Sequence, residues 1–325
     1  MFQPKKNPQE KNFTPPKLNL YSMVRLERLL GFSRVELRKV AADAGHYYDP
    51  FPKREKLRPF QKQFKIPKTR QIDNPTGLLK AIQKNIYSRI LKRLALPDNI
   101  MGGVKGVTIY KNAQLHLGGK TLAKIDIKNY FPTVTNVQIY AIWRNQLNCS
   151  PEIASLLTRL TTFERRLPQG APTSTILANL VIVTMDHKIR TDARGSGTEY
   201  SGWVDDLAFS GDDPRPLINT AIESLAKAGF AVSRKKVKVM GPRSQKILTG
   251  TRLGTVPRAD PRQLARIRSG INKLRIGAIP ILEVDEYVQS LEGKALHVAS
   301  IDRKKGQCLM QDLRAATLSA REVKG

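Results

Sequence analysis

The sequence predicts an α+β fold, with helical parts at both ends and a block of short strands between them. Three observations carry this. Apolar residues recur at helical spacing over residues 20–30 and again over 78–96. Two apolar runs of strand length follow, TLAKIDI at 121–127 and the segment Tyr200–Ser210, the latter split by Asp205–Asp206. From about Thr255 onward the pattern returns to helix and turns basic, with Arg258, Arg262, Arg266, Arg268, Lys273 and Arg275 close together.

Residues 1–19 are rich in Lys, Pro, Asn and Gln and read as a mobile basic tail. Leu20, Met23, Val24, Leu26, Leu29 and Leu30 then keep helical period. Ser33, with Glu36 three residues on, forms a capping-box pattern before Leu37 and Val40. Residues 54–72 alternate basic and apolar side chains, as a strand pair does, until Pro75 interrupts. Leu78–Leu96 reads as one long amphipathic helix. Helices are expected after Thr135 and over Glu152–Thr161, and a buried one over the apolar run Thr173–Ile189. Ile218–Ala228 is amphipathic and stops at Gly229, while Phe230–Val232 and Ile247–Thr249 look like strands. The expected organisation is a tail (1–19), an N-terminal helical region (20–120), a central strand-rich region (121–250) and a basic helical region (251–325).

Composition narrows the function. The 325 residues include 56 Lys+Arg against 27 Asp+Glu, a net charge of +29. So large an excess repels itself unless a polyanion neutralises it, and nucleic acid is the default partner. The two cysteines, Cys149 and Cys308, are far apart and the four histidines scattered, so neither a disulfide framework nor a zinc site is expected, and a reducing cytoplasm fits. The longest apolar stretch, Ile176–Met185, is too short to span a bilayer, and the N-terminus lacks the apolar core of a signal peptide, so no membrane partner is expected.

The acids are few, and their placement is informative. Asp126 ends an apolar strand just before Tyr130–Phe131. Asp205–Asp206 lies between Trp203–Val204 and Leu207–Ala208–Phe209, roughly 80 residues later. Nucleotidyl transfer needs two Mg²⁺ ions roughly 3.5–4 Å apart, one at the attacking hydroxyl and one at the leaving pyrophosphate. Two or three Asp carboxylates suffice to hold them. An Asp–Asp pair is also a common surface turn, and Asp212–Asp213, between Gly211 and Pro214, reads as one. Between the acids lies LPQGAPTS (Leu167–Ser174), a Pro/Gly-rich turn running into a helix. Free N–H groups at a helix start suit a nucleotide or template strand, and the segment also fits an ordinary helix start.

Taken together, IDIKNYF (Ile125–Phe131), LPQGAPTSTILANL (Leu167–Leu180), WVDDLAFSG (Trp203–Gly211) and GFAVSRKK (Gly229–Lys236) resemble the palm motifs of reverse transcriptases, in the family's order. RQIDNPTGLLKAIQKNI (Arg70–Ile86) resembles the fingers motif of the bacterial enzymes. Asn112-Ala113-Gln114-Leu115-His116 matches the NAxxH signature of the retron branch, and Leu248-Thr249-Gly250 is similar to its VTG signature. Trp203 stands where the family usually has Tyr, Ser233 where it has Asn, Val237 where it has Thr, and Leu248 where it has Val.

The resemblance implies a right-hand polymerase of fingers, palm and thumb, with an antiparallel palm sheet and a helical basic thumb. The palm, with part of the fingers, would be residues 121–250 and the thumb 251–325. It implies two Mg²⁺ ions, with Mn²⁺ as an alternative, held by Asp126, Asp205, Asp206 and the backbone carbonyl of Ile127. Around the dNTP it implies Arg70 on the triphosphate, Gln169 positioning the nucleotide, Phe131 excluding a ribose 2′-hydroxyl and Lys236 behind the metals. RNA contacts would come from Asn112, His116, Leu248, Thr249, Gly250, Arg262, Arg266, Arg268 and Lys273. Retron enzymes copy a cognate noncoding RNA, primed by its own 2′-hydroxyl, into branched msDNA, and they are linked to anti-phage defence with an effector protein. Two other readings stand beside this one: a non-retron defence reverse transcriptase, protein-primed or template-independent, and a catalytically silent RNA-binding scaffold.

Overall fold

The computed structural model describes residues 16–54, 67 and 69–322. Most of the expected tail, and the part of the expected strand pair at 55–66 and 68, lie outside the described residues.

Helices Met23–Leu30 and Arg34–Ala42 open the fold, and Ser33 and Glu36 form the expected capping box. Strands β1 (Tyr48–Arg54) and β2 (Thr69–Pro75) pair antiparallel as a two-stranded ribbon. The ribbon therefore begins earlier than the basic–apolar alternation suggested. Helix Gly77–Arg89 follows, and it is shorter than expected: the chain tightens into a 3₁₀ turn at Leu91–Arg93. Ile90 and Leu91 are both buried, and the approach to Pro97 disfavours further α-helix.

Helix Ile109–Leu115 leads to β3 (Thr121–Asp126). Thr135 and Gln138 form a second capping box at helix Asn136–Ala141, and helix Pro151–Thr161 starts with Ser150 as N-cap. The apolar run makes helix Ser174–Met185, buried on nearly every side. The run does not continue to Ile189 as one helix. It breaks at Asp186, a buried carboxylate held by Arg190 (3.0 Å) and Asn99 (3.0 Å), and helix His187–Gly195 restarts there. β4 (Glu199–Trp203) and β5 (Asp206–Gly211) form the expected hairpin, followed by helix Arg215–Lys227. Phe230–Val232 is not a strand; only Val232 bridges, to Ile127. The strand falls later, at β6 (Lys238–Met240). β7 (Ile247–Leu248), β8 (Thr251–Arg252) and β9 (Arg258–Ala259) make a small three-stranded sheet that spans the expected boundary at 250/251. Helices Pro261–Arg275, Val284–Ala299 and Arg303–Glu322 end the chain.

The central sheet has the order β4-β5-β3-β6, antiparallel throughout. One hydrophobic core joins its inner side to the N-terminal helices and helix Ser174–Met185, with Leu26, Ile82, Ile125, Trp143, Leu177 and Phe209 all deeply buried. The last three helices pack around their own core of Ile267, Ile271, Leu291, Val298 and Leu313. Leu122, Ala208 and Leu248 form a small cluster that ties the central sheet to β7. This is the expected α+β architecture: an antiparallel central sheet with a separate helical body after it.

Candidate active site

Asp126 is the last residue of β3 and Asp206 the first of β5, and the register sets them directly opposite each other. Opposed residues on an antiparallel pair share a face, with Cβ atoms about 4.5–5.5 Å apart. Asp205 sits in the tight turn of the β4–β5 hairpin, because Trp203 pairs with Asp206 and leaves only Val204–Asp205 between them. The amide of Ile127 donates to the carbonyl of Asp205 (2.9 Å), which locks the turn onto the end of β3. The three acids foreseen in the sequence thus converge at one end of the sheet.

The turn is strained. Val204 has φ 59°, left-handed, where a β-branched residue is disfavoured. The loop Asn99–Gly103 holds it there. Gly202 donates to the carbonyl of Asn99 (2.7 Å), and Met101 donates back to Gly202 (2.8 Å). Gly102 lies flat on the turn: a Cβ at that position would come within 2.5 Å of the Val204 nitrogen. Strain that persists because its surroundings over-determine it is common where chemistry needs fixed groups. Sequence reasoning missed Gly102, although a Gly–Gly pair after an apolar residue is a signal for close backbone approach.

Electrostatically the acids are under tension. Burial pushes the Asp205 carboxyl above its ordinary range, and Asp206 adds to the effect. Asp206 is raised by burial as well, opposed by Lys124 and reinforced by Asp126. Two carboxylates about 5 Å apart repel by on the order of 3 kcal/mol at an effective dielectric near 20, so a cation is favoured between them. Lys236 supplies one: its ammonium lies 2.6 and 2.5 Å from the two oxygens of Asp126. The set fits Mg²⁺ by donor chemistry, being all hard oxygen with an ammonium standing where positive charge is wanted. Among the described residues, no group of three or more acidic, His or Cys side chains is arranged to hold a metal ion by itself. Mg²⁺ sites of phosphoryl-transfer enzymes characteristically share such partial sets with substrate phosphates and water.

The other expected nucleotide contacts lie on three separate segments: the turn after β3, β2 and the segment before helix Ser174–Met185. Phe131 is half-buried beside Tyr130, whose hydroxyl donates to Ala178 O (2.7 Å) and fixes the short turn Tyr130–Thr133. Gln169 is partly exposed, and Arg70 on β2 is exposed. Sequence reasoning also missed a buried ion pair, Asp73–Arg166, that ties β2 to the turn carrying Gln169.

The expected RNA contacts divide. Arg262, Arg266 and Lys273 are exposed on helix Pro261–Arg275 and fall along one stripe, about 40° wide at 100° per residue; Arg268 is exposed but points well away from it. Asn112, His116 and Leu248 of the two signatures require correction as direct contacts, because they are buried. His116 is 1% exposed and bridges the sheet from within, with Nε2 2.8 Å from Ser201 Oγ and Nδ1 2.7 Å from Ser210 Oγ. Asn112 is fully buried, and Leu248 is buried in the cluster beneath β7. Leu248 pairs with Thr251, so Thr249–Gly250 is a two-residue hairpin turn with both residues left-handed. Gly250 lies against His297, where a Cβ would approach Nε2 to 2.8 Å. Packing thus accounts for His116, Leu248 and Gly250, whereas both side-chain amide atoms of Asn112 are buried without a hydrogen-bond partner among the described residues. A lone histidine does not reveal from sequence which way it faces.

Comparison with known proteins agrees with this geometry. The profile of the family "Reverse transcriptase (RNA-dependent DNA polymerase)" matches residues 52–305. The chain belongs to the reverse transcriptase family. Its relatives include the retron Ec86 reverse transcriptase of Escherichia coli, 31% identical over 56% of this chain and 57% of that protein. The retron Se72 reverse transcriptase of Salmonella heidelberg is 31% identical over 46% of this chain and 41% of that protein. The retron Mx65 reverse transcriptase of Myxococcus xanthus is 28% identical over 70% and 58%. The resemblance to the bacterial retron-type branch is borne out by these matches. The chain spans about half the length of the curated relatives it matches. No helix among its described residues is long and apolar enough to cross a membrane.

Proposed function

We propose that this reverse transcriptase is the RNA-directed DNA polymerase of a retron, copying a cognate structured noncoding RNA into branched, RNA-linked msDNA. The observation that carries the reading is the convergence of Asp126, Asp205 and Asp206 at one end of the central sheet. Residues 121–250 act as the palm, the region before them as fingers and the basic helices after them as thumb. Asp126, Asp205 and Asp206, with the Ile127 carbonyl, would hold divalent ions that activate the primer hydroxyl and neutralise the departing pyrophosphate. The chain's own groups do the rest. Lys236 balances Asp126 in the resting site and can yield to a metal by swinging its exposed, flexible stem. Arg70 offers a planar fork to the triphosphate, Gln169 orients the nucleotide, and the Phe131 ring occupies the space a ribose 2′-hydroxyl would need. The stripe of Arg262, Arg266 and Lys273 tracks RNA phosphates. The action belongs in the cytoplasm, with an effector protein as partner in anti-phage defence.

The test uses purified protein. Asp205→Asn removes a metal ligand while preserving shape, and primer-templated dNTP incorporation should fall at least ~10³-fold, the scale of losing an electrostatic element of the transition state. RNA affinity should change less than about twofold, since the stripe is untouched. Full incorporation by the variant would refute the metal assignment. Sequencing the co-purified nucleic acid should return one RNA joined to DNA; random or homopolymeric DNA would refute the retron reading.

A further inference from the structure

Asp73 is a buried acid in a chain that has few acids, and it is not one of the three carboxylates at the end of the central sheet. Its side chain is fully inaccessible. It accepts from both terminal nitrogens of Arg166, at 2.6 and 3.2 Å, the two-pronged geometry in which a guanidinium is most directional. The same carboxylate accepts the amide of Gln169 at 3.1 Å, and the Asp73 amide donates back to the Gln169 carbonyl at 2.9 Å. Asp73 therefore grips both ends of the segment Arg166–Gln169. On the other side of the turn Gly170, at φ 131°, lies close on β2: a Cβ there would come within 3.0 Å of Ile72 Cγ2 and 3.3 Å of the Asp73 carbonyl.

The other end of the grip is braced too. Phe163 and Arg166 exchange two backbone hydrogen bonds of 2.9 Å across a two-residue turn, Glu164–Arg165, with both residues left-handed at φ 49° and 61°. Neither is Gly or Asn, so the turn is strained. Asn136 donates to the carbonyl of Arg165 (2.9 Å), Leu167 donates to Val134 (2.9 Å), and the Arg166 guanidinium lies over the Phe163 ring. Arg166 is thus held by Phe163 and by the Glu164 carboxylate (3.1 Å) as well as by Asp73. Three residues before Asp73, on the same strand, is Arg70.

We propose that Asp73 is a positioning residue of the polymerase reaction. By gripping Arg166 and the Gln169 backbone together, it sets the nucleotide-facing turn against the strand that carries Arg70, so that two groups from distant parts of the chain meet one dNTP in fixed geometry. It touches neither nucleotide nor metal. The inference rests on the polymerase reading above and adds to it how the nucleotide subsite is held.

The experiment measures dNTP KM and kcat, RNA affinity and thermal midpoint for the full chain and its variants on one RNA template–primer. Asp73→Asn keeps the shape but loses the charge that holds the fork; dNTP KM should rise roughly tenfold, with kcat within about threefold and RNA affinity within about twofold, since misplaced binding groups act first on the nucleotide. In a Gln169→Ala background, Asp73→Asn should raise KM by less than about twofold more, because the two act through one element. Arg166→Lys keeps the ion pair without the fork, so it stays folded if Asp73→Asn does not, and its KM should rise roughly threefold. An unchanged KM in an active, folded variant overturns the proposal. So does a KM effect that multiplies in full with Gln169→Ala, or a fall in RNA affinity and kcat with KM constant. A wild-type chain unable to incorporate dNTPs would overturn this proposal together with the polymerase reading, whereas an active wild type with insensitive variants overturns this one alone.

Discussion

Acidification should destabilise this protein through one histidine, by an amount the structure allows to be worked out. His116 lies across β4 and β5 on one face of the sheet, with each ring nitrogen on a serine hydroxyl. Burial pushes its pKa down from 6.5 to about 3, because an imidazolium there would be charged without solvent. The folded pKa lies below the unfolded one, so between these values the denatured chain binds a proton that the native chain refuses. The stabilisation is complete above about pH 6.5 and is lost as pH falls towards about 3. At about pH 5 the denatured state has gained roughly 1.5 pK units of protonation free energy, or about 2 kcal/mol. The assay is denaturant unfolding at about pH 7.5 and about pH 5, on wild type and His116→Gln, which keeps a donor and an acceptor but cannot titrate. Other acid-sensitive groups, such as the buried Asp186, are present in both and cancel in the difference. The variant should be less stable at the higher pH, and it should lose about 2 kcal/mol less than wild type on acidification. Equal losses in the two proteins, or an imidazole of His116 that titrates near its ordinary value in the native state, would refute the reasoning.

Two further outcomes follow from backbone geometry. Gly102→Ala forces a methyl group to within 2.5 Å of the Val204 backbone, so the Val204–Asp205 turn must shift; dNTP incorporation should fall roughly 10²-fold with RNA binding retained, measured by primer extension beside filter binding. Replacing Glu164–Arg165 by Asn–Gly supplies residues suited to the left-handed turn at φ 49° and 61°; the unfolding free energy should rise by about 1–2 kcal/mol with polymerisation unchanged, and a fall in stability would contradict the strain assigned there.

Much of this protein was legible in its sequence, for physical reasons that are local. Capping at Ser33 needs only Glu36 three residues on. The β4–β5 hairpin declares itself by apolar runs on both sides of two acids, and helix Ser174–Met185 by unbroken hydrophobicity. The charge of +29 needs no fold at all to point to a polyanion. Phe230–Val232 misled because a short apolar run can serve as a bridge as easily as a strand. The helix expected to reach Leu96 stopped at Arg89, where the chain tightens into a 3₁₀ turn ahead of Pro97, whose ring disfavours helical backbone in the residue before it.

What the sequence alone determined, then, is the set of faces, turns and charges: which side chains want water, where the chain must reverse, and which motifs resemble reverse transcriptases. Only the tertiary structure decided which of these meet. It set Asp126 opposite Asp206 by pairing β3 with β5, turned His116 inward onto Ser201 and Ser210, and joined Asp73 to Arg166 across the chain. The physical reason is that strand pairing and the burial of polar groups are settled by contacts between residues far apart in sequence. The desolvation cost of an inward-facing group is met only by a partner that folding brings to it.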